Sequence, residues 1–165
     1  MSDIHPSDPR SLRNALGCLA TGVTVITTRA PKGQPVGITA NSFSAVSLQP
    51  PLVLFSLNRG AYSLRSFLSA HNFAVNILRA DQHELASNFA VPLQDKWKGI
   101  QYEVWETGCA ILPDALASFE CKIRYTYDGG DHVIFVGEVL RMTADLEGRP
   151  LLFYRGRYSS LDGER

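Results

Sequence analysis

The chain has 165 residues, 45% of them apolar, and its 16 basic and 16 acidic side chains give a formal net charge of zero. A chain of this length is typical of one domain with a sizeable core, so we expect a single domain over 1–165 with loose ends at 1–9 and 160–165. Balanced charge without Lys or Arg runs argues against a nucleic-acid partner. The sequence shows neither a leader pattern nor an apolar run of about 18 residues, so we expect a soluble, cytoplasmic protein that does not bind membranes.

The first elements in chain order are a short amphipathic helix and a hairpin. Asp8 followed by Pro9 predicts the helix start, and Gly22 predicts its end. Three leucines repeat on one face of this helix: Leu12, Leu16 and Leu19. The β-branched run at 23–28 and the strand that enters Thr39 flank turn residues at 30–35, which predicts a β-hairpin.

The middle of the chain alternates strand patterns with helix patterns. The Pro50-Pro51 pair predicts an extended break, and strands are predicted at 52–57 and 73–78. A helix predicted at 62–70 has three inward apolar residues: Leu64, Phe67 and Leu68. A further helix is predicted to start after Asp81 as N-cap and to end near Phe89.

The last part of the chain is predicted to be mainly β. Residues 90–99 are irregular, and the strands predicted after them are 104–112, 118–127, 132–142 and 151–154. The turn sequence Asp128-Gly-Gly-Asp131 joins two of these strands in a hairpin. About six strands without βαβ alternation are typical of a closed antiparallel barrel with a few peripheral helices, so the predicted fold class is mainly β.

Several motifs for metal, redox or nucleotide chemistry are missing from the sequence. Three widely spaced cysteines without a Cys-x-x-Cys pair predict buried reduced thiols: Cys18, Cys109 and Cys121. His83-Glu84 is followed by Ser87 where a zinc-protease helix needs its second His, so we expect no metal site. No Rossmann glycine motif or P-loop is present, and any nicotinamide coenzyme is therefore expected to bind without those folds.

Residues 36–47 carry the most informative pattern, a β-branched strand that runs into small polar residues. The side chains of Thr39, Ala40, Asn41 and Ser42 are short enough for a planar molecule with polar edges to lie against the main chain. Such a molecule would accept hydrogen bonds from main-chain N–H groups, and an isoalloxazine ring has this shape and chemistry. The alternative is a strand followed by an ordinary Ser/Asn turn.

Together with several later stretches, this pattern resembles the flavin reductase family over 16–158. The matching stretches are 21–28, 39–43, 50–54, 73–76, 116–121, 130–132, 136–139 and 150–158. The resemblance implies an FMN-binding split barrel, which is a closed antiparallel Greek-key barrel, and a homodimer. It also implies reduction of FMN or FAD by NADH or NADPH, with the reduced flavin passed to a partner monooxygenase or hydroxylase.

The resemblance further implies which residues bind the flavin. The ring would meet the first group: Thr39, Ala40, Asn41, Ser42 and Phe43. The ribityl chain and phosphate would meet the second: Ser56, Leu57, Asn58, Arg59, Ser63 and Lys96. Phe89 would pack nearby. The alternatives are ordinary surface charges for Arg59 and Lys96, and core packing for Phe89.

The same resemblance implies that the nicotinamide coenzyme is held by His132 together with Tyr154, Arg157 and Tyr158. Direct hydride transfer needs stacking and distance control, and water can supply any proton, so we predict no catalytic acid or base. The alternative for His132 is a hydrogen bond to the neighbouring Asp131.

Three other functions fit a similar barrel: a flavin or haem carrier without catalysis, a flavoenzyme of the pyridoxamine-phosphate oxidase type, and a structural barrel whose dimer interface covers its apolar loops. Trp97, Trp105 and Phe153 lie outside the helix-core patterns, which favours an obligate two-fold dimer with flavin near the interface. The sequence leaves open the choices between FMN and FAD and between NADH and NADPH. It also leaves open whether flavin stays bound between turnovers, and which monooxygenase is the partner.

Overall fold

The computed structural model describes residues 7–92 and 95–161. Three short helices lie in these ranges: α1 Pro9–Leu16, α2 Leu64–Ser69 and α3 His83–Ala90. The strands are β1 Thr21–Gly22, β2 Thr24–Arg29, β3 Pro35–Ala40, β4 Ser44–Leu48, β5 Pro51–Asn58, β6 Asn72–Ile77, β7 Glu103–Val104, β8 Ala110–Ile111, β9 Ala117–Gly129, β10 His132–Ala144, β11 Leu152–Tyr154 and β12 Arg157–Ser159. The ends that we expected to be loose, 1–9 and 160–165, lie largely outside the described residues.

Seven strands form one antiparallel sheet in the order β3-β2-β6-β9-β10-β5-β4. Its two edge strands, β3 and β4, follow each other in the chain and are joined by residues 41–43, which we call the edge link. Since four Cα–Cα steps span at most about 14 Å, the two edges of the sheet lie close together there. The smaller sheets are β1-β11-β12 and the pair β7-β8. The predicted mainly β, antiparallel architecture is therefore confirmed.

The core of the large sheet is built on phenylalanine rings. Phe55 on β5 stacks on Phe135 of β10 with ring centroids 5.0 Å apart, and it meets Phe73 of β6 edge-on, also at 5.0 Å. Phe67 of α2 is fully buried and contacts Phe55 at 5.4 Å. Aromatic pairs of this kind add to the free energy gained from apolar burial, so α2 is held against the sheet next to β5.

The predicted strands and hairpins agree with this structure in most places. The hairpin of β2 with β3, the strands β5 and β6, and the long hairpin of β9 with β10 are all confirmed. The turn of that last hairpin has Gly130 at φ +75°, a conformation that glycine adopts without strain. The strands β4 and β12 were not predicted from the sequence.

Three predictions about the helices are corrected. Asp8 caps α1 as expected by accepting from the N–H groups of Arg10 and Ser11, but α1 ends at Leu16, with Gly17 as C-cap. It ends before Gly22 because Thr21 and Gly22 pair with β11. The N-cap of α3 is Gln82 and not Asp81. Leu68, which we expected to face inward, is exposed. The leucines of the predicted helical face are exposed too: Leu12, Leu16 and Leu19.

Two further predictions are corrected. The expected strand 104–112 is split into β7 and β8, because Gly108 at φ +75° turns the chain and the two short strands pair with each other. Cys109 and Cys121 are free, buried thiols as expected, whereas Cys18 is exposed. Burial raises the pKa of Cys121 to about 12, which keeps that thiol protonated. Within the described residues, no helix has the length and apolar character to cross a bilayer.

Candidate functional site

A cavity of about 690 Å³ lies between β3, the start of α2 and the segment that follows α3. We call it the Ser63 cavity. Its wall includes Val36, Gly37, Ile38, Ser63, Lys96 and Trp97. Cavities of this volume bind small organic ligands, usually through apolar walls with a few placed polar groups. The chain therefore has room here for a molecule the size of a nucleotide.

Gly37 allows the cavity floor to lie close to the core. A Cβ atom built on Gly37 would lie 2.7 Å from Cε1 of Phe89 and 3.1 Å from Cζ2 of Trp97. Phe89 is fully buried and meets Trp97 edge-on at 4.9 Å. Phe89 thus packs beneath the floor and supports it, and the core-packing alternative for this residue agrees with its position.

Ser63 lines the cavity and carries a buried hydroxyl that makes no hydrogen bond within the described residues. The residue is the N-cap of α2, yet its side chain makes no capping bond. Buried polar atoms are nearly always paired in folded proteins, so an unpaired one in a cavity wall favours a ligand there.

Lys96 lies in the same wall and is fixed by the main chain. Its Nζ donates to the carbonyl of Phe89 at 2.7 Å and lies 3.5 Å from the carbonyl of Gly37. Asn88 holds the backbone of this residue through a bond of 2.7 Å from Nδ2 to the Lys96 carbonyl. Burial lowers the pKa of Lys96, because desolvation disfavours the charged ammonium. An anionic ligand would reverse that effect.

The predicted ring-binding residues lie at and beside the edge link. Their side chains are engaged within the chain: Thr39 Oγ1 donates to the Ala86 carbonyl at 2.6 Å, and Asn41 Nδ2 donates to Thr21 Oγ1 at 3.2 Å. Ser42 Oγ donates to the carbonyl of Ser56 and accepts from its N–H. The main-chain N–H groups of 41–43 donate no hydrogen bond within the described residues. These N–H groups remain available to a ligand.

The remaining predicted flavin residues occupy different surroundings. Ala40 ends β3, and Phe43 packs on Phe119 with ring centroids 5.9 Å apart. Leu57 is buried in the core, and the Asn58 side chain accepts from the N–H of Gly60 at 2.7 Å. Arg59 lies outside the cavity wall, where it pairs with Asp128 at 2.9 Å and donates to the Gly130 carbonyl at 2.8 Å. Of the two predicted phosphate cations, only Lys96 lines the cavity.

The predicted coenzyme residues fall into two places. His132 lies opposite Asn58 at the tip of the β9–β10 hairpin, and its Nδ1 is 2.7 Å from Asp131. This hydrogen bond lowers the pKa of the Asp131 carboxyl. The structure thus contains the bond that the alternative interpretation of His132 expected, while the other ring nitrogen has no partner among the described residues.

Tyr154, Arg157 and Tyr158 lie in the small sheet. Tyr154 pairs with Arg157 across β11 and β12, and Tyr158 packs on Phe153 at 5.7 Å. No hydrogen bond, ion pair or ring contact joins them to His132 in the part of the chain that is described. They connect instead to the edge link, because Thr21 pairs with Phe153 and accepts the Asn41 hydrogen bond.

Sequence reasoning missed the apolar part of the cavity wall. Val36, Gly37 and Ile38 precede the polar residues that were predicted, and Trp97 follows Lys96. One signal was present in the sequence, since an isolated glycine within a strand often marks a close approach of the backbone to another group. The side of the strand that faces the cavity could not be read from the sequence.

Comparisons with known proteins agree with this geometry. A family model described as "Flavin reductase like domain" matches residues 16–162. The chain is 43% identical over 132 residues to a probable flavin reductase of Rhizobium meliloti, covering 80% of this chain and 42% of that protein. It is 39% identical over 158 residues to HsaB, the reductase subunit of a flavin-dependent monooxygenase of Rhodococcus jostii, covering 96% of this chain and 80% of HsaB.

A solved structure with a similar fold is the NADH:FAD oxidoreductase SgcE6 of Streptomyces globisporus C-1027, in complex with NAD and FAD fragments. It matches with a TM-score of 0.93 at 36% identity over 98% of each chain. The structural similarity therefore extends over nearly the whole chain.

Proposed function

The chain belongs to the flavin reductase like domain family, and we propose that it uses NADH or NADPH to reduce FMN or FAD. The reduced flavin is then supplied to a partner monooxygenase, as the name of HsaB indicates for that relative. The observation that carries this proposal for the present chain is the Ser63 cavity, which combines an unpaired buried hydroxyl with a desolvated lysine.

These two groups fit the phosphate-bearing end of a flavin. The Ser63 hydroxyl can donate one hydrogen bond to a phosphate oxygen, and the Lys96 ammonium supplies positive charge in a partly desolvated wall. Arg59 contributes charge from outside the wall and is already paired with Asp128, so its effect on the phosphate is the smaller one.

The ring system belongs at the edge link. The free N–H groups of 41–43 hydrogen-bond a planar polar edge, and the bonds of Thr39, Asn41 and Ser42 to the rest of the chain hold those N–H groups in place. When bound, the flavin supplies the ring that accepts a hydride. The fixed N–H donors stabilise the negative charge that develops at the pyrimidine edge, and they do so without reorganisation.

The coenzyme is held in this proposal by His132 from the β9–β10 hairpin and by Tyr154, Arg157 and Tyr158 from the small sheet. The free ring nitrogen of His132 offers a hydrogen bond, and the tyrosines offer ring faces for stacking. Positioning alone is required of these side chains, because hydride transfer needs alignment of the two rings at contact distance.

The finer architecture follows from the same proposal. The large sheet closes as a split barrel at the edge link, where its two edge strands are joined by three residues. The chain acts as a single domain and forms a homodimer. Trp97, Trp105 and Phe153 all pack within the chain, so these side chains do not support the dimer. The exposed leucines of α1 and of the segment after it are the better support.

Steady-state oxidation of NADH and NADPH, each with FMN, FAD and riboflavin, tests the proposed activity. We expect coenzyme oxidation that depends on added flavin, and we expect the absorbance spectrum of the flavin to shift when the protein binds it. Flavin binding without coenzyme oxidation would favour a carrier, and activity only with a pyridoxamine-type amine would favour an oxidase. A protein that does neither would contradict the proposal.

A further inference from the structure

A second cavity, of about 450 Å³, lies at the other end of α2. Ser63 and Ser66 line the first cavity, whereas Ser69 at the C-terminal end of α2 lines the second. The turn between β2 and β3 and the loop near Gly108 complete its wall. We call it the Arg29 cavity. Its volume is within the range of small-ligand sites.

The charge in this wall has one sign. Arg29, Lys32 and His71 line the cavity, and no Asp or Glu is among its described lining residues. The whole chain has a formal net charge of zero, so this is a local excess of positive charge. The buried Glu120 places one carboxylate next to the wall: its Oε1 accepts from the N–H and the hydroxyl of Thr107 at 2.6 Å each, and its Oε2 has no hydrogen-bond partner within the described residues.

Arg29 is an exposed side chain without an acidic partner within the described residues. Its Nε donates to the carbonyl of Gly33 at 3.3 Å. Gly33 at φ +90° and Gly108 at φ +75° lie against the guanidinium. A Cβ built on Gly33 would lie 3.2 Å from Nη2, and one built on Gly108 would lie 3.0 Å from Nη1. Neither Nη atom has a hydrogen-bond or ion-pair partner within the described residues. By contrast, Arg59, Arg79 and Arg124 each pair with a carboxylate.

From this arrangement we infer that the Arg29 cavity binds the phosphate group of a small ligand, either free or as part of a nucleoside diphosphate. A planar guanidinium with two free donor groups matches the geometry of phosphate oxygens, and the bond from Nε to the Gly33 carbonyl leaves both Nη groups available for them. Lys32 and the His71 imidazole add donors at the same wall. This site is separate from the Ser63 cavity and does not depend on the proposed reductase activity.

The test is a titration followed at the His71 ring by proton–carbon NMR, with inorganic phosphate and with ADP at constant ionic strength. A His71→Asn variant assigns the signal among the four histidines. We expect a saturable shift of this signal, and we expect Arg29→Gln to weaken the binding about tenfold or more, as the loss of a charge-assisted pair would. Arg13→Gln, which changes an exposed arginine of α1, is the matched control and should leave the affinity unchanged.

The two ligands distinguish the source of the phosphate. Saturation by both identifies a site for the phosphate group itself, and saturation by ADP alone identifies a nucleotide site; both results support the inference. If near-ultraviolet circular dichroism shows that Arg29→Gln is misfolded, Lys32→Gln serves as the test. The inference fails if neither ligand shifts the His71 signal saturably. It also fails if Arg29→Gln and Lys32→Gln both bind the ligand with the affinity of the parent protein.

The affinity for FMN separates this inference from the proposed function. Arg29→Gln should bind FMN as the parent protein does, because Arg29 does not line the Ser63 cavity. If Arg29→Gln loses affinity for FMN as much as for phosphate, the Arg29 cavity is not a site separate from the Ser63 cavity. A protein that binds phosphate here but reduces no flavin would contradict only the proposed function.

Discussion

Asn76 on β6 and Ser63 at the start of α2 are both polar groups without solvent contact, but the chain satisfies only one of them. Asn76 Nδ2 donates to the Val25 carbonyl at 3.1 Å, and Oδ1 accepts from the Leu112 N–H at 2.9 Å and the Ser118 hydroxyl at 3.2 Å. Ser63 Oγ has no partner in the described chain. The first side chain ties three segments together, and the second belongs to a residue that lines a cavity.

This difference separates structural polar groups from candidate functional ones. A buried amide with all of its principal bonds made within the chain contributes to stability and to a unique fold. A buried hydroxyl with none makes the folded protein slightly less stable and gains its bond only from a ligand. Substitutions at the two positions should therefore affect different measurements.

The largest effect is expected at Asn76. Asn76→Ala removes three hydrogen bonds and leaves the buried Leu112 N–H without its acceptor, so we expect a loss of about 3 kcal/mol in the free energy of unfolding. Urea titration measures this loss. Asn14→Ala, an exposed residue of α1, is the control and should change stability by less than about 0.5 kcal/mol. Equal stability of the two variants would contradict the structural role of Asn76.

At Ser63 we expect lost affinity without lost stability. Ser63→Ala removes a donor to phosphate, which should weaken FMN binding about tenfold and leave riboflavin binding unchanged. The urea midpoint should stay the same or rise slightly, since an unpaired hydroxyl is removed. Ser87→Ala on the exposed side of α3 is the control. Similar losses of affinity for FMN and for riboflavin would show that Ser63 does not contact the phosphate.

Lys96 should make the affinity for FMN depend on pH. Its charged form is the one that attracts phosphate, and burial lowers its pKa below the ordinary lysine value. The affinity for FMN should therefore fall as pH rises through this lowered pKa, at a lower pH than for an exposed lysine. Riboflavin should show no such fall, because it lacks the phosphate.

Lys96→Met should abolish the difference in pH dependence between FMN and riboflavin, whereas Lys98→Met, at a neighbouring exposed lysine, should preserve it. Isothermal titration calorimetry at several pH values measures both. A parent protein whose FMN affinity shows the same pH dependence as its riboflavin affinity would remove Lys96 from the phosphate site.

The smallest effect is expected at His132. This residue is intermediate between the fully bonded Asn76 and the unpaired Ser63, because one ring nitrogen is bonded to Asp131 and the other has no partner within the described residues. His132→Ala should raise the KM for the nicotinamide coenzyme about threefold to tenfold and leave flavin affinity nearly unchanged, the pattern of lost substrate binding. Asp131→Ala should give a smaller change, since it removes only the support of the ring. If the KM of His132→Ala equals that of the parent, the residue is a turn histidine bonded to its neighbour.

Much of the fold could be predicted because local chemistry and tertiary structure agree. The Asp128-Gly-Gly-Asp131 turn specifies its own hairpin, and the β-branched run of β2 suits a strand buried almost throughout. The prediction failed at 104–112, where Gly108 at φ +75° breaks an otherwise apolar strand pattern. It also failed for Leu68 of α2, because the period of a helix shows which residues share a face but not what that face contacts.

The candidate site was predicted in part, and only through the family resemblance. Ser63 and Lys96 lie together in one wall as predicted, while Arg59 lies outside it and pairs with Asp128. Nothing in the sequence shows that pairing, because the two residues are 69 positions apart. The roles of all three residues, and of the edge link, stay predictions.

The contact between Gly37 and Phe89 restricts which sequences can keep this cavity. Any side chain at position 37 would place its Cβ 2.7 Å from the buried ring of Phe89, so that ring or the backbone would have to shift. Mutational tolerance at position 37 is therefore conditional on position 89. Larger residues at 37 become acceptable only when a smaller residue replaces Phe89, and the two positions should covary among related sequences as a coupled pair.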